Sequence, residues 1–277
     1  MTSCMTIFFS SAKSRIFINF ILALLLIVFG ISCQEDGGGF NIFSVQDDID
    51  LGLQLSDEIN ADPSTYPVLS ELGYPDAYGH INRITNEILD NAPISYRTQF
   101  PWDVKIIHDD DVLNAFCTPG GYIYVYTGLI KFLDSEDELA GVMGHEIAHA
   151  DLRHTTDQLT QQYGISLLLG LLLGENQSQL TDIAAGLAVL KFSRNHEEQS
   201  DEYSVIYLCE TEYDARGASR FFEKLEAAGG STVPEFLSTH PDPANRVDDI
   251  QAKWLELGCG EGGTFEARYS DFKATLP

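Results

Sequence analysis

Three observations predict a mostly helical α+β domain with one small β-sheet. Apolar residues recur at three- and four-residue spacing over long stretches, whereas only two short segments alternate or cluster like strands. Apolar side chains make up 44% of 277 residues, enough for one sizeable core. From about residue 46 to the C-terminus no repeat, low-complexity block or linker divides the chain, so residues 46–277 read as a single domain.

The N-terminus stands apart. Lys13 and Arg15 precede an apolar run from Ile16 to Ser32, broken only by Asn19, and Cys33 follows. A basic start, an apolar middle and small residues before the cut form the pattern of a signal peptide over residues 1–32. Ser32-Cys33 resembles the lipobox of bacterial lipoproteins, which implies lipid on Cys33 as the membrane link. Gln34 to Gly39 is polar and glycine-rich, so residues 33–45 read as a flexible tether. The competing reading is an uncleaved signal anchor, at about the lower length limit for crossing a bilayer. Both put the remainder outside the cytosol, in the cell envelope and periplasmic in a lipoprotein.

Within the domain, Asp47 to Ile59 and Ala77 to Leu89 are amphipathic helices, separated by a loop with Pro63 and Pro67. Trp102 to Ile107 and Tyr122 to Tyr126 are the strands, the second introduced by a Pro119-Gly120-Gly121 turn. That turn and Tyr122 have two readings: an exposed strand edge able to pair with an extended peptide, or a plain β-turn. Ser135 and Glu138 form an S-x-x-E capping pattern, followed by Leu139, Val142, Met143, Ile147 and Ala150 on the inner face of a half-buried helix. Ile165 to Leu173 is too short to cross a bilayer and reads as a buried helix, a flap or a lipid-docking surface. A long helical pattern covers about Leu180 to Leu208. Asp242-Pro243 looks like an N-cap with proline at the first helical position, before Val247, Ile250 and Trp254 on one face.

Formal net charge is −26, and residues 1–32 hold two basic and no acidic residues, so removing them leaves −28. Such a surface repels nucleic acid and anionic headgroups, which excludes a nucleic-acid partner. Five cysteines include no C-x-x-C pair, which excludes a cysteine zinc knuckle. Cys4 and Cys33 belong to the signal and lipid readings. Cys117, Cys209 and Cys259 remain, and a Cys209–Cys259 bridge is open in an oxidising compartment.

The chemistry concentrates in His145-Glu146-Ile147-Ala148-His149. Residues four apart share a helical face, so the two imidazoles can grip one metal ion. Glu146 stands beside that metal, where a bound water needs a base. The pattern is that of a zinc hydrolase with one Zn2+ per chain. Two histidines do not complete such a site. His154 lies five residues past His149, and Leu152 and Thr155 break the longer H-E-x-x-H-x-x-G-x-x-H arrangement. Downstream, Glu197 and Asp201 form an E-x-x-x-D pair on one helical face, one carboxylate for the metal and one to fix a ligand tautomer. From the residues alone, His196 and Glu198 compete as ligands.

Four segments in order resemble the gluzincin metallopeptidases of family M48, which includes the HtpX-like, Oma-like and CAAX-prenyl proteases. They are Asn114-Ala115-Phe116-x-x-Pro119-Gly120-Gly121-x-Ile123, Gly144-His145-Glu146-x-x-His149 with Arg153-His154, Ser193-Arg194-x-x-Glu197-x-x-x-Asp201, and Ser238-Thr239-His240-Pro241 with Arg246. The likeness covers about residues 45–255. It implies a gluzincin zinc-protease domain in which His145, His149 and Glu197 bind zinc and Asp201 supports a ligand. It also implies that Glu146 is the base, with His240 and Arg246 approaching from the C-terminal segment as a donor and a charged clamp. His240 has a second reading, as a fourth ligand that holds the site latent. Ser200, where the family commonly has alanine, is a departure that leaves the metal chemistry intact.

The expected activity is cleavage of peptide bonds in misfolded or misassembled envelope proteins, with extended polypeptides as partners. A client-binding chaperone with gated proteolysis and a peptidase of short peptides are the alternatives. His80, His108, His154 and His196 read as ordinary polar or core histidines, with His154 near the site. No tetratricopeptide-like segment is expected.

Overall fold

The computed structural model describes residues 41–228, 235–241 and 245–277. The signal segment, Cys33, residues 34–40 of the tether and the Asp242-Pro243 cap lie outside the described residues. Among those described, no helix is long and apolar enough to cross a membrane.

Ser44 opens helix α1 (Val45–Ala61): its hydroxyl accepts from the Asp47 amide at 3.1 Å, and the Asp47 carboxylate accepts from the Ser44 amide at 2.7 Å. This reciprocal cap starts the helix two residues before the apolar pattern does. Helix α2 (Pro75–Asn91) begins with proline, which lacks only an N–H that no helical turn would satisfy.

Strands β1 (Asp103–Ile107), β2 (Ala115–Thr118) and β3 (Tyr122–Tyr126) form one sheet in the order β1-β3-β2. β1 runs parallel to β3, pairing Asp103 with Tyr122, and β2 runs antiparallel to it, pairing Ala115 with Val125. Strand β3 is therefore the centre of the sheet, and of the two readings of Gly120 to Tyr122 the exposed edge is not there. Gly120 and Gly121 are buried in a 3-10 turn between two paired strands. The period of two divides the core. Ile123 and Val125 join Val104, Ile106, Ala115 and Cys117 on the α2 side, whereas Tyr122, Tyr124, Tyr126 and Phe116 face α1.

After α3 (Thr127–Phe132) comes α4 (Glu136–Asp151), which carries both histidines of the motif. It was expected to be half-buried, yet every one of its residues is buried, among β2, α2, α8 (Arg194–Leu208) and α9 (Gly217–Ala228). The expected capping box does not form. Ser135 makes no side-chain cap, Glu138 accepts instead from the Asp134 amide at 2.9 Å, and the Glu136 amide donates to the Thr264 carbonyl. Close approach fixes the helix: a methyl group at Gly141 would lie 2.2 Å from the Ala218 nitrogen, and one at Gly144 2.9 Å from Ser204 Oγ.

Arg153 then turns the chain in the left-handed conformation, φ 62° and ψ 27°, which costs a non-glycine residue roughly 1–2 kcal/mol. Its guanidinium offsets that by donating to the buried Asp48 carboxylate and to the Phe43 and Ser44 carbonyls. The turn starts α5 (His154–Tyr163) at once. Helix α6 (Ile165–Leu172) buries Leu168 and Leu171 against α1 and leaves Ile165, Leu169 and Leu173 exposed, so it is half-buried. The long helix expected over Leu180 to Leu208 is two. α7 (Gln177–Gly186) passes through a 3-10 turn to extended Leu190, and Ser193 caps α8 afresh by accepting from the His196 amide. The break follows from the apolar faces: Leu180, Ile183 and Leu187 serve the α1 side of the core, Val205 and Leu208 the other. Helices α10 (Glu235–Thr239), α11 (Arg246–Leu257) and α12 (Glu266–Lys273) complete the domain. The Cys209–Cys259 disulfide joins the end of α8 to the segment after α11.

Candidate active site

Four side chains from three elements meet beneath α8. His145 and His149 come from successive turns of α4, Glu197 from the first turn of α8, and His240 from just past α10. One ligand atom of each lies within 4.8 Å of all the others. His145 Nε2 is 3.0 Å from His149 Nε2 and 3.2 Å from His240 Nδ1. Glu197 Oε2 is 3.4 Å from His145 Nε2, and its Oε1 is 3.3 Å from His149 Nε2 and 3.1 Å from His240 Nδ1. Of the three competitors for the third position, Glu198 is exposed and His196 contacts Asp157, whereas Glu197 is fully buried against both imidazoles.

The donor set fits a divalent cation. His145 Nδ1 donates to Asp201 Oδ1 at 2.9 Å, so its Nε2 presents a lone pair to the cluster. Glu197 presents only lone pairs when ionised. Glu197 and Asp201 are two buried carboxylates on one buried guanidinium, Arg246, and Glu146 is a third buried carboxylate beside His240, a setting that favours an added cation. Glu146 is buried, and neither of its oxygens makes a close hydrogen bond, His240 Nε2 at 3.5 Å being its nearest ionic neighbour, which suits a group that takes a water or substrate.

Electrostatics divide the two histidines, and a metal must displace a proton from the first. Burial opposes a charge on His145, but Asp201 and Glu197 outweigh it and lift its pKa to about 9. Burial would likewise raise Glu197, yet His240, His145 and His149 hold it well below the usual carboxylate range. Burial holds His149 well below its ordinary value, in the neutral form that a metal requires. Burial also raises Glu146, toward the range of a working base.

Arg246 is buried against the carboxylates of α8. Its Nε donates to Asp201 Oδ2 at 2.6 Å and its Nη2 to Asp201 Oδ1 and Glu197 Oε2, at 2.8 and 3.0 Å. Its clamp is on the two carboxylates. His240 Nε2 lies 3.5 Å from Glu146 Oε1, between the base and the ligand atoms. Phe192 stacks on His149 at 3.9 Å and Phe236 on His240 at 4.3 Å between centroids. His145, Glu146, His149, Glu197 and His240 are at most 1% exposed, so this conformation is sealed.

Two features escaped the sequence reading. The sealing aromatics carried no spacing signal. His154, read as an ordinary histidine near the site, touches a ligand: its Nδ1 is 3.1 Å from His149 Nδ1. The signal, Arg153-His154, was visible, but only the left-handed turn at Arg153 brings the ring back.

A helix-borne H-E-x-x-H joined by a glutamate from a second helix is the arrangement of a gluzincin-type metallopeptidase site. The sequence profile of Peptidase family M48 matches residues 75–253, and the chain belongs to that family. It is 34% identical over 157 residues to the mitochondrial metalloendopeptidase OMA1 of Arabidopsis thaliana, covering 56% of this chain and 32% of that protein. A putative beta-barrel assembly-enhancing protease of Vibrio cholerae is 31% identical over 230 residues, 73% of this chain and 47% of the relative. Metalloprotease YcaL of Escherichia coli is 28% identical over 170 residues, 59% of this chain and 63% of that protein. The chain thus spans less than two thirds of the length of each.

Proposed function

We propose that this chain is a zinc-dependent endopeptidase that hydrolyses peptide bonds in extended or misassembled proteins of the cell envelope. The observation that carries the reading is the convergence of His145, His149 and Glu197 beside the buried Glu146 carboxylate. Zinc bound there would polarise the scissile carbonyl and make its water acidic near neutral pH. Glu146 takes the proton of the attacking water and gives it to the leaving amine. Asp201 keeps the proton of His145 on Nδ1, and Arg246 holds both carboxylates in place. The envelope assignment draws on the beta-barrel assembly-enhancing proteases among the relatives. The basic-apolar-Cys33 pattern supports a lipid tether on residues 33–45 after removal of residues 1–32.

The sealed cluster favours gating. His240 occupies the space between Glu146 and the ligand atoms, so it holds the site latent until it leaves. Gated hydrolysis also keeps the chaperone reading in play, and Glu146 separates the two. Glu146→Gln should retain one zinc per chain and lose casein cleavage by about 100-fold or more. A variant that still cleaves casein would remove Glu146 from the mechanism, and one whose cellular role persists without cleavage would favour client binding. His240→Ala should raise peptide cleavage; a fall would make His240 a catalytic donor instead.

A further inference from the structure

We infer that His154, acting through Gln199, is the positioning residue that fixes the tautomer of His149; this rests on the zinc reading above. The two ligand histidines need the same service and receive it from different groups. His145 has a carboxylate, Asp201, on its Nδ1. His149 has no carboxylate there: its Nδ1 faces His154 Nδ1 at 3.1 Å.

Two imidazole nitrogens at that distance form a hydrogen bond only if one carries the proton and the other a lone pair. The far side of His154 settles which. His154 Nε2 lies 3.0 Å from Gln199 Oε1, an acceptor, so the His154 proton belongs on Nε2 and its Nδ1 must accept. His149 then keeps its proton on Nδ1 and turns the Nε2 lone pair to the cluster, 3.3 Å from Glu197 Oε1. Ser200 Oγ lies 3.3 Å from His154 Nδ1, the longer of the two contacts at that nitrogen. Stacking on His196 at 4.3 Å and 14° fixes the plane of the His154 ring, and His196 is itself held by Asp157. Gln199 sits between Glu197 and Asp201 on α8, so one helix supplies the third metal partner and sets the tautomers of both histidines. An imidazole relay is a weaker orienter than a carboxylate and adds no further negative charge to a site that already holds three carboxylates.

The test uses the full chain purified in detergent, with zinc affinity measured by competition against a chromophoric chelator and the metal-free melting temperature as control. His154→Leu removes the acceptor and should weaken zinc binding about 10–100-fold. His154→Asn returns an acceptor oxygen near the Nδ1 position and should bind zinc within about threefold of wild type. Gln199→Leu frees the His154 tautomer and should weaken zinc binding, but have no further effect in the His154→Leu background. A purely structural role would lower the melting temperature and leave these affinities and their coupling unmoved. His154→Leu within twofold of wild type, or His154→Asn as weak as His154→Leu, would overturn the inference alone. A wild-type chain that binds no zinc would overturn the functional reading and this inference with it.

Discussion

Asp201 and Arg246 make opposite demands on the same buried volume. Among the described residues, Arg246 is the one guanidinium bonded to Glu197 and Asp201, and both its bonds to Asp201 are short. Removing one partner of a buried, hydrogen-bonded charge pair costs about 3–5 kcal/mol, because the other charge stays buried and unpaired. Arg246→Ala should therefore lower the unfolding free energy of chelator-treated protein by that order in urea titration. A loss below about 1 kcal/mol would mean that water reaches the carboxylates. Asp201→Asn keeps an acceptor for His145 Nδ1 and removes the charge, so it should weaken zinc binding about 10-fold or more while shifting the melt less. An unchanged chelator competition curve would count against its orienting role.

At the scale of elements, α4 is positioned by what it lacks. The Gly141 approach to Ala218 leaves no room for a methyl group, so Gly141→Ala must push α4 and α9 apart. Overpacking of this kind costs about 1–3 kcal/mol, readable as a lower melting temperature; an unchanged melt would show that the two helices separate freely. The metal helix, both outer helices of the N-terminal half and strand β3 were legible because periodicity and turn chemistry are local. The break at Leu190 to Ser193 was not, because Leu180 to Leu208 keeps an apolar rhythm while its two halves serve different sides of the sheet. The burial of α4 and the central place of β3 depend on neighbours distant in sequence. Glu197 could be chosen over His196 and Glu198 only through the family resemblance, since all three share one helical turn. The Arg153 turn, and with it His154, depends on Asp48 more than a hundred residues upstream.

For the molecule as a whole, pH should act on the stability of the metal-free form between 6.5 and 9 and leave the zinc-loaded form level. Folded His145 titrates near 9, above the ordinary 6.5. Between those values the native state holds more protons than the unfolded chain, so this contribution is full below about pH 6.5 and fades as pH rises through 9. Zinc requires the same imidazole unprotonated, so its affinity rises with pH over that window. Denaturant titrations should show stability falling from pH 6.5 to 9 in chelator and staying level when zinc saturates the protein, and a metal-free protein that gains stability toward pH 9 would contradict the charge balance argued for the site. The Cys209–Cys259 bridge closes a long loop across the C-terminal half, worth on the order of 4 kcal/mol in chain-entropy terms. Reductant should lower the melting temperature and leave zinc content unchanged, because the ligands lie elsewhere on α4 and α8; zinc loss on reduction would tie the bridge to the site.

The most direct test of the central claim is metal content by elemental analysis of purified wild type and Glu197→Ala. The convergence of α4 and α8 on one cation predicts one zinc per chain in the first and little or none in the second. A Glu197→Ala protein that keeps a full equivalent of zinc would contradict it.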